Sequence, residues 1–142
     1  MIPKFRGLSI DEKSKGEWQY GYLIEDNGQA FIINEVIEAN EQYITIGSWD
    51  PVKPNTVSQS TGLHDKNGKE IFEGDIITNG EAVVDVKSHP TLGFYTTVNG
   101  VERFFGDNTS IRDFNNDVED FSDVTEILGN IYENPELLEA TE

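Results

Sequence analysis

Apolar and polar residues alternate with a period of two along most of this chain. Trp18, Tyr20, Tyr22 and Ile24 take every second position, with Gln19, Gly21 and Leu23 between them. That is the spacing of a strand whose successive side chains point to opposite faces. Asn27-Gly28 follows. This pair accepts positive φ at both centres of a two-residue turn, so Trp18–Glu25 and Gln29–Asn34 are expected to form a hairpin. Tyr43–Ile46 reads as a short strand. Trp49–Asn55 reads as a loop, because each of its two prolines lacks an amide donor. Thr56–Gln59, Asp75–Thr78, Glu81–Lys87, Thr91–Val98 and Val101–Phe105 read as further strands, punctuated by Asn79-Gly80, Ser88-His89-Pro90 and Asn99-Gly100. Asp107–Ser122 breaks the rhythm as an irregular acidic loop, and Asp123–Tyr132 resumes it. Asn134 as N-cap with Pro135 at N1 predicts one short helical turn at the C-terminal end.

Reversals roughly every eight to twelve residues indicate a mainly β protein of antiparallel sheets. The expected architecture is a small SH3-like barrel over residues 56–142, with residues 1–55 as a β-hairpin region adding a sheet, the two forming one compact unit. No repeat of solenoid period is present.

The most distinctive stretch is Thr61 to Ile77. Asp65-Lys66-Asn67-Gly68 is a hairpin signal, with Asn67-Gly68 suited to a type I′ turn. Ile71 and Phe72 supply apolar anchors, and Glu73-Gly74-Asp75 makes a second reversal into the β-branched Ile76-Ile77. With the closing segment Gly129-Asn130-Ile131-Tyr132-Glu133-Asn134-Pro135-Glu136-Leu137-Leu138, this stretch resembles the YopX family of phage and prophage proteins. Lys4-Phe5-Arg6-Gly7 is similar to the family's opening motif, and Gly21-Tyr22-Leu23 to its first strand. Gly7 in place of the usual Ala, His64 where Lys or Tyr is common, and the acidic stretch between Gly106 and Asp123 are departures. The resemblance implies a mainly β protein with a complex arrangement of sheets, encoded by a phage or prophage. It implies no particular biochemical activity.

Composition narrows the functional classes. The chain has 142 residues, no Cys and a net charge of −17. Disulfides, thiol catalysis and Cys-based metal sites are excluded. So strong a negative charge argues against direct binding to nucleic acid or an anionic membrane. No apolar run reaches transmembrane length, and Met1-Ile2-Pro3-Lys4 lacks the apolar core of a signal peptide, so a cytoplasmic protein of a bacterial host is expected. From Asp113 to Glu142 there are ten acidic residues and no Lys or Arg. That excess suits either a solvated acidic face or a docking surface for a basic partner.

Candidate chemistry is sparse. Asp113, Asn115 and Asp117 have the spacing that opens an EF-hand loop, but Val118 stands where a Gly is needed and Val124 where a bidentate Glu is needed. The two histidines, His64 and His89, have no metal-ligand spacing. Phosphate-binding glycine loops, nucleophile elbows and zinc-protease motifs are absent, so neither a catalytic residue nor a cofactor or metal is assigned. The Phe104-Phe105 doublet must send one ring to each face of its strand, which calls for a second sheet or another subunit over the outer ring.

The expectation is a non-enzymatic protein-binding or self-associating module. One alternative is an acidic decoy for a host nucleic-acid-binding protein, and another is a carboxylate-based, metal-dependent enzyme. Partner contact is expected at His64, Asp65, Lys66, Asn67 and Lys69, and at Asp113, Asp117, Glu119, Asp120 and Asp123.

Overall fold

The computed structural model describes residues 4–98, 100–105 and 123–139. The chain is mainly β, with three antiparallel sheets and one short C-terminal helical turn, and divides into two compact units, Met1–Ser60 and Thr61–Glu142. Among the described residues no helix is long and apolar enough to cross a membrane.

The first unit is built from β1 (Phe5–Leu8), β2 (Trp18–Asp26), β3 (Gln29–Ala39), β4 (Ile44–Val52) and the start of β5 (Ser58–His64), with a 3-10 turn at Pro54–Thr56. The strands lie in the order β4-β3-β2-β1-β5. Asn27 and Gly28 both have positive φ, 52° and 75°, as the expected tight turn between β2 and β3 requires. One face of this sheet carries the core: Ala30, Ile32 and Val52, with Phe5, Leu23 and Val57 packed against them. Gly7 lets β1 lie directly on Val52, since a Cβ there would come within 2.8 Å of Val52 Cγ2. The end of β4 curls back to the end of β1 through the bridge Ser9–Val52.

Two expectations for this unit change. Trp49–Val52 is strand, because Pro51 sits on the edge strand of the sheet, where a missing donor is tolerated. β1 has no alternating signal of its own, yet it pairs with both β2 and β5.

The second unit contains the end of β5, then β6 (Glu70–Phe72), β7 (Asp75–Thr78), β8 (Val83–Asp85), β9 (Lys87–His89), β10 (Gly93–Val98), β11 (Val101–Phe104), β12 (Glu126–Asn130) and α1 (Glu136–Glu139). Its core is Ile71, Ile77 and Val86, joined by Leu63, Val84, Phe94, Phe105 and Ile127. The expected SH3-like barrel is not closed among the described residues. Strands β12-β7-β8 form one three-stranded sheet and β11-β10-β9 another. The reason lies at Val86, where the expected single strand Glu81–Lys87 divides. The Val86 amide donates to the Asp75 carbonyl and its own carbonyl accepts from Gly74, after which the chain leaves β7 and pairs with β10.

The Phe104-Phe105 doublet divides between the core and the opposite face of its strand. Phe105 packs into the core. Phe104 is half-buried among neighbours on its own sheet, with Tyr95 at 4.9 Å between ring centroids and the His89 ring edge-on at 6.1 Å.

The Asp65–Lys69 turn is one residue longer than the expected type I′ form. Gly68 has positive φ while Asn67 does not, and the Gly68 amide donates to the Asp65 carbonyl. This is a type I turn with its extra glycine on the exit side. Asp65, only 5% exposed, organises it. Its Oδ1 accepts the amides of Asn67 and Lys69 at 2.9 Å, and its Oδ2 accepts the Ile127 amide of β12 at 3.1 Å. Burial alone would raise the Asp65 pKa, but hydrogen bonds from Lys69, Ile127 and Asn67 and the nearby Lys69 charge outweigh it, so the net shift is downward.

Two measurements test these features. Gly21 has φ +152°, and an added Cβ would land on the Ile33 carbonyl. Gly21→Ala should therefore cost about 1–3 kcal/mol in denaturant unfolding. Asp65→Ala should cost about 1–3 kcal/mol near neutral pH, because buried amides lose their acceptor. The folded-state pKa of Asp65 lies below its unfolded value of 3.8. Its contribution is thus complete above that value and lost as pH falls through the folded one, so the stability gap to Asp65→Ala should stay flat above about pH 5 and narrow below about pH 4.

Candidate functional site

At the tip expected to meet a partner, the residues divide into buried and exposed sets. Asp65 is buried and its carboxylate is occupied by backbone amides. Lys66 is tied to the start of β12 twice, through its amide to the carbonyl of Thr125, just before the strand, at 2.8 Å and its Nζ to Glu126 Oε2 at 3.5 Å. His64, Lys66, Asn67 and Lys69 are exposed. Of the acidic set, Asp123 is exposed, whereas Asp113, Asp117, Glu119 and Asp120 lie outside the described residues, as does the EF-hand-like Asp113–Glu119 segment.

No cluster of three or more His, Asp or Glu side chains able to hold a metal occurs among the described residues. His89 serves its own turn, where Nδ1 accepts the amides of Thr91 and Leu92 at 3.1 Å. An open groove of about 340 Å³ lies in the second unit between Glu73, Asp85, Lys87, Tyr95 and Tyr132. Lys87 pairs with Asp85 across 3.8 Å there, and the lining is a mixture of polar and aromatic side chains.

The first unit presents a more unusual surface. The face of its sheet opposite the core carries Trp18, Tyr20, Tyr22 and Ile24 from β2. Tyr22 pairs across to Ile33, Ile24 to Phe31, and Ile33 in turn to Trp49, so all of these side chains share that face. Phe31 and Trp49 meet edge to face with centroids 5.6 Å apart. Cations sit against the aromatics, with Lys4 Nζ 5.6 Å from the Tyr20 ring centre and the Arg6 guanidinium 4.5 Å from that of Trp18. A sheet with one buried face normally alternates apolar-in and polar-out. Here the outer face is apolar as well, and Trp49 on it is 55% exposed.

Beyond this face, β3 and β4 continue as an arm. Every residue from Asn34 to Ser48 is exposed, on both sides of the ribbon. β2 pairs with β3 only as far as Ile33, so the arm stands beyond the sheet. It carries Val36, Ile37, Tyr43, Ile44 and Ile46, with Ile37 67% exposed. A two-stranded ribbon without packing on either face is marginal by itself. Register shifts mark its length, from Ile33/Glu35 through Val36/Glu38, and the Glu35 side chain crosses Gly47, where a Cβ would clash with it. Sequence reasoning missed the arm. The available signal was Val36-Ile37 and Ile44-Thr45-Ile46 flanking the polar Asn40-Glu41-Gln42, a second hairpin with apolar residues on both faces.

The two distinctive sequence segments meet in one place. β12 pairs with β7, the Ile131 amide donates to the Gly74 carbonyl, and Tyr132 lies on Gly74, where a Cβ would come within 2.9 Å of its ring. Asn130 Oδ1 accepts the amides of Tyr132 and Glu133, and Asn134 Oδ1 accepts the amide of Asn130. The segments are thus halves of a single clamp.

Comparison with known proteins agrees with this geometry. No curated protein matches. Among solved structures the chain is similar to the crystal structure of protein EF1440 from Enterococcus faecalis, at 28% identity and a TM-score of 0.60, over 97% of this chain and 99% of that one. The family profile described as YopX protein matches residues 4–139, which include both halves of the clamp and the aromatic sheet, and the chain therefore belongs to the YopX family.

Proposed function

We infer that this YopX protein is a phage- or prophage-encoded accessory module, acting in the bacterial cytoplasm, that binds protein without catalysis. The observation that carries this reading is where the exposed apolar side chains lie. Of fourteen large exposed hydrophobic residues among those described, ten belong to the first unit, from Ile10 to Trp49. Scattered apolar residues on a surface are ordinary, but a contiguous aromatic face beside a bare ribbon is characteristic of an interaction site. The expected contacts at the His64–Lys69 tip become secondary to it.

A second reading draws on charge. Residues 61–142 hold eighteen acids against five basic side chains, while residues 1–60 hold nine against five. An acidic decoy would engage a basic host protein through the second unit, and raised salt would abolish that capture. Capture through the apolar first unit survives salt.

The test places a photocrosslinking side chain at Ile37 or Tyr22, and at exposed Leu92 of the second unit as control, in host lysate at low and high salt. Salt-resistant protein adducts at the first two positions, at least several-fold above Leu92, are expected. Adducts no more frequent than at Leu92 would refute the first-unit module.

A further inference from the structure

Asn-Gly occurs four times in this chain, at 27–28, 67–68, 79–80 and 99–100. The pair suits tight turns. It also sets a side-chain amide beside a backbone nitrogen that no Cβ shields, so the two can react with each other. Asn99 lies outside the described residues. The other three pairs have different surroundings.

At 67–68 the Gly68 amide donates to the Asp65 carbonyl at 3.0 Å, inside the turn that the buried Asp65 carboxylate holds. At 79–80 the Gly80 amide donates to Thr78 Oγ1 at 3.0 Å, and Asn79 Oδ1 accepts the amides of Glu81 at 2.9 Å and Ala82 at 3.2 Å. An N–H already donated to an acceptor gives up its proton less readily, and a side-chain carbonyl held by two amides is not free to swing onto the main chain. At 27–28 neither restraint exists among the described residues. The Gly28 amide has no protein acceptor there, and the Asn27 side chain makes no hydrogen bond. Both residues are exposed, and the space where a Gly28 Cβ would stand is empty within 4 Å.

We propose that Asn27 is a site of spontaneous deamidation, the most reactive of these three asparagines in the folded chain. The Gly28 nitrogen loses its proton to hydroxide and attacks Asn27 Cγ. The new N–Cγ bond closes a five-membered imide. The bond from Cγ to Nδ2 breaks, and Nδ2 leaves as ammonia after taking a proton from water. Water then adds to one of the two imide carbonyls. Addition at Cγ restores the ordinary main chain with aspartate at position 27. Addition at the main-chain carbonyl breaks its bond to the Gly28 nitrogen, and the chain runs on through Cγ as isoaspartate. Either product places a third carboxylate directly after Glu25 and Asp26. Isoaspartate also inserts one main-chain atom into the two-residue turn that joins Asp26 to its partner Gln29, at the end of β3 remote from the arm.

The test incubates the full chain at neutral and mildly alkaline pH, digests it, and follows each Asn-Gly peptide for the mass gain of aspartate over asparagine. Asn27 should convert at least several-fold faster than Asn67 and Asn79, and faster at the higher pH, because the attacking nitrogen must be deprotonated. In denaturant the three should convert at similar rates, since only the fold separates them. Conversion of Asn67 or Asn79 as fast as Asn27 in the folded chain, an Asn27 peptide that stays intact, or the same ranking in denaturant would overturn the assignment.

Discussion

One carboxylate organises the second unit. Asp65 holds its own turn through the amides of Asn67 and Lys69, and holds β12 through the amide of Ile127, sixty-two residues away in sequence. A turn closed by local bonds alone would be free to swing on β5 and β6. The third bond fixes it to the strand that flanks β7, and the Lys66 amide adds a second tie to Thr125. The ionised form accepts these amides best, which is why its pKa is held down despite burial. Gly74 and Tyr132 repeat the arrangement at the other end of β12, where only a glycine leaves room for the ring.

The first unit follows a different constraint. Its sheet buries one face around Ile32 and Val52, as alternation requires, yet its other face is also apolar. A closed two-layer domain would cover both. The strands β3 and β4 instead overrun the sheet, so the unit carries an unsupported ribbon beside a face that is buried at Arg6, Leu8 and Ile33 and exposed at Tyr20, Tyr22, Ile24 and Trp49. Register shifts between these strands prevent the ribbon from being a flat, regular template for unlimited strand addition.

Local signals in the sequence carried much of the β architecture. Asn27-Gly28 located its hairpin because the chemistry of positive φ is local. Asn134-Pro135 located the final turn for the same reason. Pro51 misled, because a proline excludes a central strand but not an edge one, and edge position is a property of the sheet. β1 was hidden because Arg6 and Gly7 interrupt its pattern, and Gly7 is explained only by the approach of Val52. The barrel expectation failed at Val86, where a continuous apolar run changes partners without any residue that announces a break. At the candidate site, His64, Lys66, Asn67 and Lys69 are exposed beside the turn that the sequence located, but the role of Asp65 depends on Ile127 and is invisible locally. The aromatic face was concealed by its own regularity, since Tyr20, Tyr22 and Ile24 look like core positions.

Strand β5 bears on whether the two units can be separated. Its first residues pair with β1 through Gln59 and Ser58, while its later residues lead into the turn and β6, and the division between the units falls between Ser60 and Thr61, inside the strand. A gene broken at that division would hand each product half a strand and an open row of unpaired amides and carbonyls. Chains tolerate a cut most readily at exposed linkers, and the midpoint of this chain is strand. Severing the chain there should therefore cost both units order rather than release two independent domains.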